Sequence, residues 1–379
     1  MAFKNKNPFV FVHGMFGWGS SVGIDKITPY WGATTGSLMK YLKNSGYDCC
    51  CASVGPVSSA WDCACELYAQ LMGTKVDYGV AHSQKFHHER FGRTYKKPIT
   101  AAFGREKIHL IGHSHGGQVI RLLAHLLTYG DEAEKSATAP EDISGLFTGG
   151  KEDLVASVTC VCTPNNGTTL YYLAEKADII QPIGRATDFV MALFGRTFIH
   201  GRLVDYQLEQ YGLTPLRGEK KADKILTAMN RMRDNDDNVL TDLSFKGATE
   251  LNAAIEISPN INYFCYTSDG ISENKPKNIK FPFLKPLGRL IAKSDLPQSQ
   301  FGIDFDDSWR SNDGLVNTPS AKNPFDEPSK EYDGTVESGV WNIMPTLIGD
   351  HGQAAGLFAN KKTLHEFYEN LAQMLLQTK

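Results

Sequence analysis

Lys107-Ile108-His109-Leu110-Ile111-Gly112-His113-Ser114-His115-Gly116-Gly117-Gln118 joins an apolar run to a helical one across a glycine-flanked serine. Lys107 to Gly112 reads as a buried strand. From Gln118 to Tyr129, Val119, Ile120, Leu122, Leu123, Leu126 and Leu127 recur at helical spacing, and Gly130 follows as a C-terminal cap. A strand turning sharply into a helix lifts the serine hydroxyl above the edge of a sheet, and glycines on either side let the two elements approach without side-chain collision. Ser114 then sits at a helix N-terminus, where backbone N–H groups favour developing negative charge. This order predicts an α/β fold and a nucleophilic serine; an incidental serine in a glycine-rich turn is the weaker account.

Outward from that stretch, strand-like and helix-like segments alternate. Phe9 to His13 reads as a strand, Ser37 to Ser45 as a helix and Tyr47 to Ser53 as a strand; Leu154 to Cys162 and Asn262 to Thr267 read as buried strands, and Thr363 to Gln377 as a final helix. Two regions interrupt the rhythm. Val54 to Ile99 is rich in His, Cys, Tyr and Gly with no long strand, and Thr168 to Ser244 contains apolar stretches such as Asp188 to Ile199. The reading is a single domain over residues 1–379 with insertions at 54–99 and 168–244.

Composition narrows the function classes. With 379 residues, 41% of them hydrophobic, the chain has ample material for a core, which excludes a disordered protein. Lys+Arg 39 against Asp+Glu 42 leaves a net charge of -3, so no basic excess points to a nucleic-acid partner. No apolar run approaches the length needed for a transmembrane segment, and Phe9 to Val12 is too short for a signal-peptide core. The expectation is either a cytoplasmic protein or a secreted one whose leader has been removed. Eight cysteines cluster at Cys49, Cys50, Cys51, Cys63, Cys65, Cys160, Cys162 and Cys265. They are expected as buried thiols suited to a reducing or anaerobic setting, with alternate members such as Cys160 and Cys162 on one strand face.

A serine hydroxyl needs a base, and the base needs an orienting carboxylate, here later in the chain. His351, in Gly349-Asp350-His351-Gly352, and Asp313, in Ser311-Asn312-Asp313-Gly314-Leu315-Val316-Asn317, are the favoured pair. Asp350 competes with Asp313 but, as the immediate neighbour of His351, is poorly placed to hold its ring. An oxyanion hole requires two N–H groups, and Met15, in His13-Gly14-Met15-Phe16-Gly17, and His115 supply the candidates.

These pieces, with Val54-Gly55-Pro56-Val57-Ser58-Ser59-Ala60-Trp61-Asp62, Val76-Asp77-Tyr78-Gly79, Phe91-Gly92-Arg93-Thr94-Tyr95, Thr163-Pro164-Asn165-Asn166-Gly167-Thr168-Thr169, Thr241-Asp242-Leu243-Ser244 and Asn312-Asp313-Gly314-Leu315-Val316-Asn317, resemble the zinc-containing bacterial true lipases of family I.5, typified by thermophilic Bacillus and staphylococcal lipases. The likeness runs from about Phe9 to the end. It implies an α/β-hydrolase fold with a mostly parallel central sheet, a Ser114, Asp313 and His351 triad, and a helical lid within 168–244. The implied activity is cleavage of carboxylic esters of lipids (triacylglycerol lipase) at an oil–water interface; a carboxylesterase for short-chain or polymeric esters is the alternative.

The resemblance also implies a structural zinc held by Asp62, His82, His88 and Asp237, with His87 and Asp236 as neighbours in a shifted register. Four protein ligands would close the coordination sphere and leave no position for a metal-activated water. Two departures stand out. The family's calcium site uses acidic residues after the catalytic histidine, whereas Gly352 to Phe358 has no carboxylate, so loss of that site is expected. His115 stands where Gln is usual, and since the oxyanion contact is a backbone N–H, function is expected to survive.

Overall fold

The computed structural model describes residues 6–178, 205–213, 227–228, 230–232, 234–272, 275–295 and 297–378. Asp188 to Ile199, the apolar stretch singled out in the second insertion, lies outside the described residues.

Seven strands form one sheet in the spatial order Ser329–Glu331, Trp341–Ile343, Asn262–Tyr266, Val155–Val161, Ile108–His113, Phe9–Val12 and Cys49–Ala52. Every pairing in it is parallel. A parallel sheet needs helices on both faces, and alternation along each strand shows two apolar layers. Val10 and Val12, Ile108 and Leu110, Val158 and Cys160, and Tyr263 and Cys265 enter one cluster with helices Ala60–Met72 and His115–Tyr129. Phe9 and Phe11, Ile111, Val161, and Phe264 and Tyr266 enter the other with helices Leu38–Asn44 and Lys361–Leu375.

The expectation that Cys160 and Cys162 share a strand face is wrong. Cys160 lies in the first cluster and Cys162 in the second. The period of two fails because the strand ends at Val161 and Cys162 takes a positive φ of 53°. The expectation of buried thiols holds for seven of the eight, and all eight are free.

Within 54–99, helix Ala60–Met72 starts where the Ser59 side chain accepts from the Asp62 N–H and stops at Gly73 with φ 69°. Almost all of its side chains are buried, since it packs in the apolar layer beside helix His115–Tyr129. A short antiparallel hairpin, Lys75–Asp77 with Phe91–Thr94, and helix Val80–Phe86 follow. Among the described residues, no helix is long and apolar enough to cross a membrane.

The first strand connects outward to Cys49–Ala52, and the chain then returns across it to Ile108–His113. That reversal opens a crevice between the carboxyl ends of Phe9–Val12 and Ile108–His113. Met15 and Ser114 follow those two strand ends.

Candidate active site

Ser114 is the residue before helix His115–Tyr129, with φ 57° and ψ −131°. Such a backbone costs a non-glycine residue about 1–3 kcal/mol and persists only where the surroundings enforce it. They do so by contact. A Cβ on Gly112 would lie 2.4 Å from the Gly116 carbonyl oxygen, and one on Gly116 would lie 2.5 Å from the carbonyl oxygens of Val12 and His13. Gly117 is likewise filled by Thr163, whose Oγ1 would be 1.9 Å from an added Cβ. The strand, the serine turn and the helix thus close on one another with no room for side chains at these positions.

His351 and Asp313 come together as expected. His351 Nδ1 lies 2.7 Å from Asp313 Oδ2, and both residues are buried. A carboxylate can only accept here, so Nδ1 carries the hydrogen, and in the neutral ring Nε2 is the acceptor. The other oxygen, Asp313 Oδ1, accepts from the N–H groups of Leu315 and Val316 at 3.0 and 2.8 Å. The Asp350 carboxylate is occupied elsewhere: it accepts from the backbone N–H groups of Lys280, Phe281, Gly352 and Gln353 at 2.7–3.1 Å.

A second histidine braces the first. His113 Nε2 donates to the His351 carbonyl at 2.9 Å, while its Nδ1 lies 2.7 Å from the Tyr30 hydroxyl. Tyr30 in turn accepts from the Gly14 N–H at 3.1 Å, so it donates to Nδ1. Burial, with the neighbouring His351 adding to it, pushes the His113 imidazolium far down and keeps the ring neutral.

The loop after the first strand is pinned from both sides. His13 Nδ1 donates to the Gly14 carbonyl at 2.9 Å and its Nε2 accepts from the Val54 N–H at 3.2 Å. Burial lowers its pKa to about 4. Phe16 donates to the Pro56 carbonyl at 2.8 Å. Among the described residues, the Met15 and His115 N–H groups have no acceptor. The His115 side chain is buried, with Nε2 2.9 Å from Asp242 Oδ2, the oxygen that also accepts from the Ala60 N–H at 2.7 Å. Beside this loop lies an apolar cavity of about 720 Å³ whose lining includes Met15, Leu170, Leu173, Leu240, Leu243 and Leu290.

Apart from the serine, Asp62, His82, His88 and Asp237 offer ligand atoms that all lie within 4.8 Å of one another. His82 Nε2, His88 Nε2 and Asp62 Oδ1 are buried and make no hydrogen bond. Three unpartnered polar atoms facing one point are costly without a cation and fit a metal ion well. Three of the four ligands are held from outside the cluster. Asp62 Oδ2 accepts from Gln210 Nε2 at 2.6 Å, Asp237 accepts from the Ser59 and Tyr211 hydroxyls at 2.5 and 2.9 Å, and His88 Nδ1 donates to the Glu89 carbonyl at 2.9 Å. Such outer partners fix ligand orientation and the histidine tautomer. Without a cation, burial opposes a charged His82, yet Asp237 and Asp62 outweigh it and raise its pKa to about 9. His87 is exposed, with φ 55°, while His88 is buried and is the one that belongs to the cluster.

Tyr30 and the outer partners Gln210 and Tyr211 carried no sequence signal, because each acts through a long-range contact without a local motif; Ser59 and Asp242 lie in segments that carry the resemblance, but nothing in the sequence marks what they contact. His113 was visible only as part of the Gly-His-Ser-His-Gly run.

The family model described as "Lipase-like, C-terminal domain" matches residues 5–379. A curated relative named lipase from Staphylococcus hyicus is 35% identical over 385 residues, covering 99% of this chain and 58% of its own length. The chain thus spans little more than half of that relative. Among solved structures, EstA from Clostridium botulinum superposes with a TM-score of 0.84 at 35% identity, covering all of this chain and 88% of its own. Lipase 1 from Pelosinus fermentans superposes with a TM-score of 0.81 at 36% identity, covering 99% of this chain and 100% of its own.

Proposed function

We propose that this chain, which belongs to the lipase-like, C-terminal domain family, is a serine hydrolase that cleaves carboxylic esters of lipids. The 2.7 Å contact between His351 Nδ1 and Asp313 Oδ2, linked through His113 to a serine held in strained backbone, is the observation that carries the reading. His351 Nε2 takes the Ser114 proton as the hydroxyl attacks the ester carbonyl, and Asp313 stabilises the imidazolium so formed. The N–H groups of Met15 and His115 hold the oxyanion. His351 then gives the proton to the departing alcohol, and water releases the acid from the acyl-serine by the same route.

A large apolar cavity against Met15 favours a long acyl chain over a short one, and thus a triacylglycerol lipase over a short-chain or polymer esterase. In this reading residues 168–244 form the lid and residues 54–99 the metal-bearing insertion of a single domain. Zinc is the metal that two imidazoles and two carboxylates suit as a closed set, and its role is structural. It would tie Asp62, at the start of helix Ala60–Met72, to Asp237 near the end of the lid segment.

The test is hydrolysis of nitrophenyl esters of increasing chain length and of emulsified triglyceride, by the wild type and Ser114→Ala in parallel. Loss in the variant with strongest wild-type activity on long chains and emulsion supports the proposal. A short-chain preference makes the protein an esterase, and activity that survives Ser114→Ala removes the serine mechanism.

A further inference from the structure

Beside the apolar cavity lies a surface that the triad does not use. Between Lys277 and Asp295 the sequence places five cations, Lys277, Lys280, Lys285, Arg289 and Lys293, against one carboxylate, in a chain whose net charge is -3. Lys277 pairs with Asp269, but among the described residues none of the other four side chains forms an ion pair. Lys285, Arg289 and Lys293 are exposed on helix Leu284–Lys293, which buries Leu284, Gly288, Ile291 and Ala292. Large apolar side chains stand among these cations. Phe283 is 73% exposed and Leu290 51% exposed, and Leu290 also lines the cavity beside Met15.

Unpaired cations interleaved with exposed aromatic and aliphatic side chains are the composition of an element that lies on an anionic lipid surface. A protein partner would not need the surface to adjoin an acyl-sized cavity. The helix is also fixed rigidly to the catalytic loop. A Cβ on Gly288 would lie 2.7 Å from Asn312 Oδ1, Asn312 Nδ2 donates to the Gly288 carbonyl at 3.1 Å, and a Cβ on Gly314 would lie 2.8 Å from Leu284 Cβ. Asn312 and Gly314 flank Asp313, so whatever holds the helix also orients the site.

We infer that helix Leu284–Lys293 and the Phe281–Phe283 turn before it form a docking surface for anionic lipid aggregates, seating the cavity mouth on the lipid. The inference rests on the lipid-ester hydrolase reading and names how its substrate is presented. Hydrolysis strengthens the attraction, because each fatty acid released leaves a carboxylate at the surface.

Binding is measured separately from chemistry by sedimenting the Ser114→Ala protein with phosphatidylcholine vesicles, with and without phosphatidylglycerol. Vesicles containing phosphatidylglycerol are expected to bind more protein, and added salt to release it. Lys285→Glu with Arg289→Glu is expected to lower that binding by roughly tenfold or more, the scale set by removing surface cations near an anionic leaflet. Phe283→Ala lowers it as well. With Ser114 restored, both sets are expected to hydrolyse a soluble short-chain ester like the wild type, which shows that they fold. Equal binding to the two vesicle types, or binding indifferent to the charge reversals, overturns the inference. Neither result touches the proposed chemistry, which the soluble ester reads independently.

Discussion

His113 Nε2 donates to the carbonyl oxygen of His351 across 2.9 Å, so the residue before the serine holds the backbone of the proposed base. His113 ends strand Ile108–His113 and His351 lies on a later loop, and this bond with the Gly14–Tyr30–His113 chain joins the serine turn, the oxyanion loop and the histidine loop. His113 is expected to act as a positioning residue. Its replacement by Phe keeps a ring and removes the donor. Against the soluble ester, kcat should fall about 10-fold or more while KM stays near the wild-type value, on the scale of a misplaced reacting group. An unchanged kcat in a folded variant excludes the role.

Asp313 and Asp350 should separate cleanly. Asp313→Asn loses the carboxylate that orients and stabilises the His351 imidazolium, and kcat is expected to drop about 10⁴-fold with little change in Tm. Asp350→Ala instead leaves four backbone N–H groups without their acceptor. It is expected to cost about 1–3 kcal/mol or more of stability and to retain measurable turnover. Equal losses of turnover in both variants would contradict the assignment of Asp313.

Gly14 gives a test of crowding in the site. A Cβ there would lie 2.6 Å from Ser114 Cβ and 3.1 Å from Ser114 Oγ. Gly14→Ala must displace either the serine or the loop that carries Met15. Activity on the soluble ester is expected to fall at least 10²-fold, with the far-ultraviolet spectrum retained. Wild-type turnover in this variant would mean that the loop yields without consequence.

Much of this is legible in the sequence, and the reason is local. Ser114 announces itself because strand, glycine-flanked turn and helix are contiguous, so one short stretch carries both the fold and the nucleophile. Asp313 and His351 were reachable through chain order, and the hydrogen-bonding at Asp350 gives the physical reason to prefer its rival. The His113–Tyr30 brace and the Asp242 anchor of His115 were not legible, because they pair residues more than 80 positions apart without periodicity. Cys162 failed for a different reason. Strand alternation stops one residue before Cys162, which sits in a left-handed turn that no cysteine pattern announces.

Metal removal should act on stability before chemistry. Asp62 and Asp237 are buried in one cluster, and without a cation that cluster must take up protons or unfold. Dialysis against a chelator is expected to lower Tm by several degrees, with zinc restoring it and turnover persisting at temperatures where the metal-free protein stays folded. His82→Ala should lower Tm similarly and blunt the response to chelator. Turnover that vanishes on chelation while the protein remains folded would point to a catalytic ion instead.

Acid stability offers a last test, carried by His109. Burial lowers its pKa from 6.5 to about 3, and Nδ1 lies 2.7 Å from Ser157 Oγ. The unfolded chain therefore takes up a proton near pH 6.5 while the folded chain refuses it until about pH 3. Between those values the unfolded state binds more protons, so this residue's contribution is fully present above pH 6.5 and is lost as the pH falls. The loss amounts to about 1.4 kcal/mol per pH unit within the window. His109→Gln removes the titration, and denaturant unfolding at successive pH values should show the difference between wild type and variant shifting towards the variant as the pH drops from 7 to 5. A difference independent of pH would mean that the folded protein admits a proton at His109 as readily as the unfolded chain does.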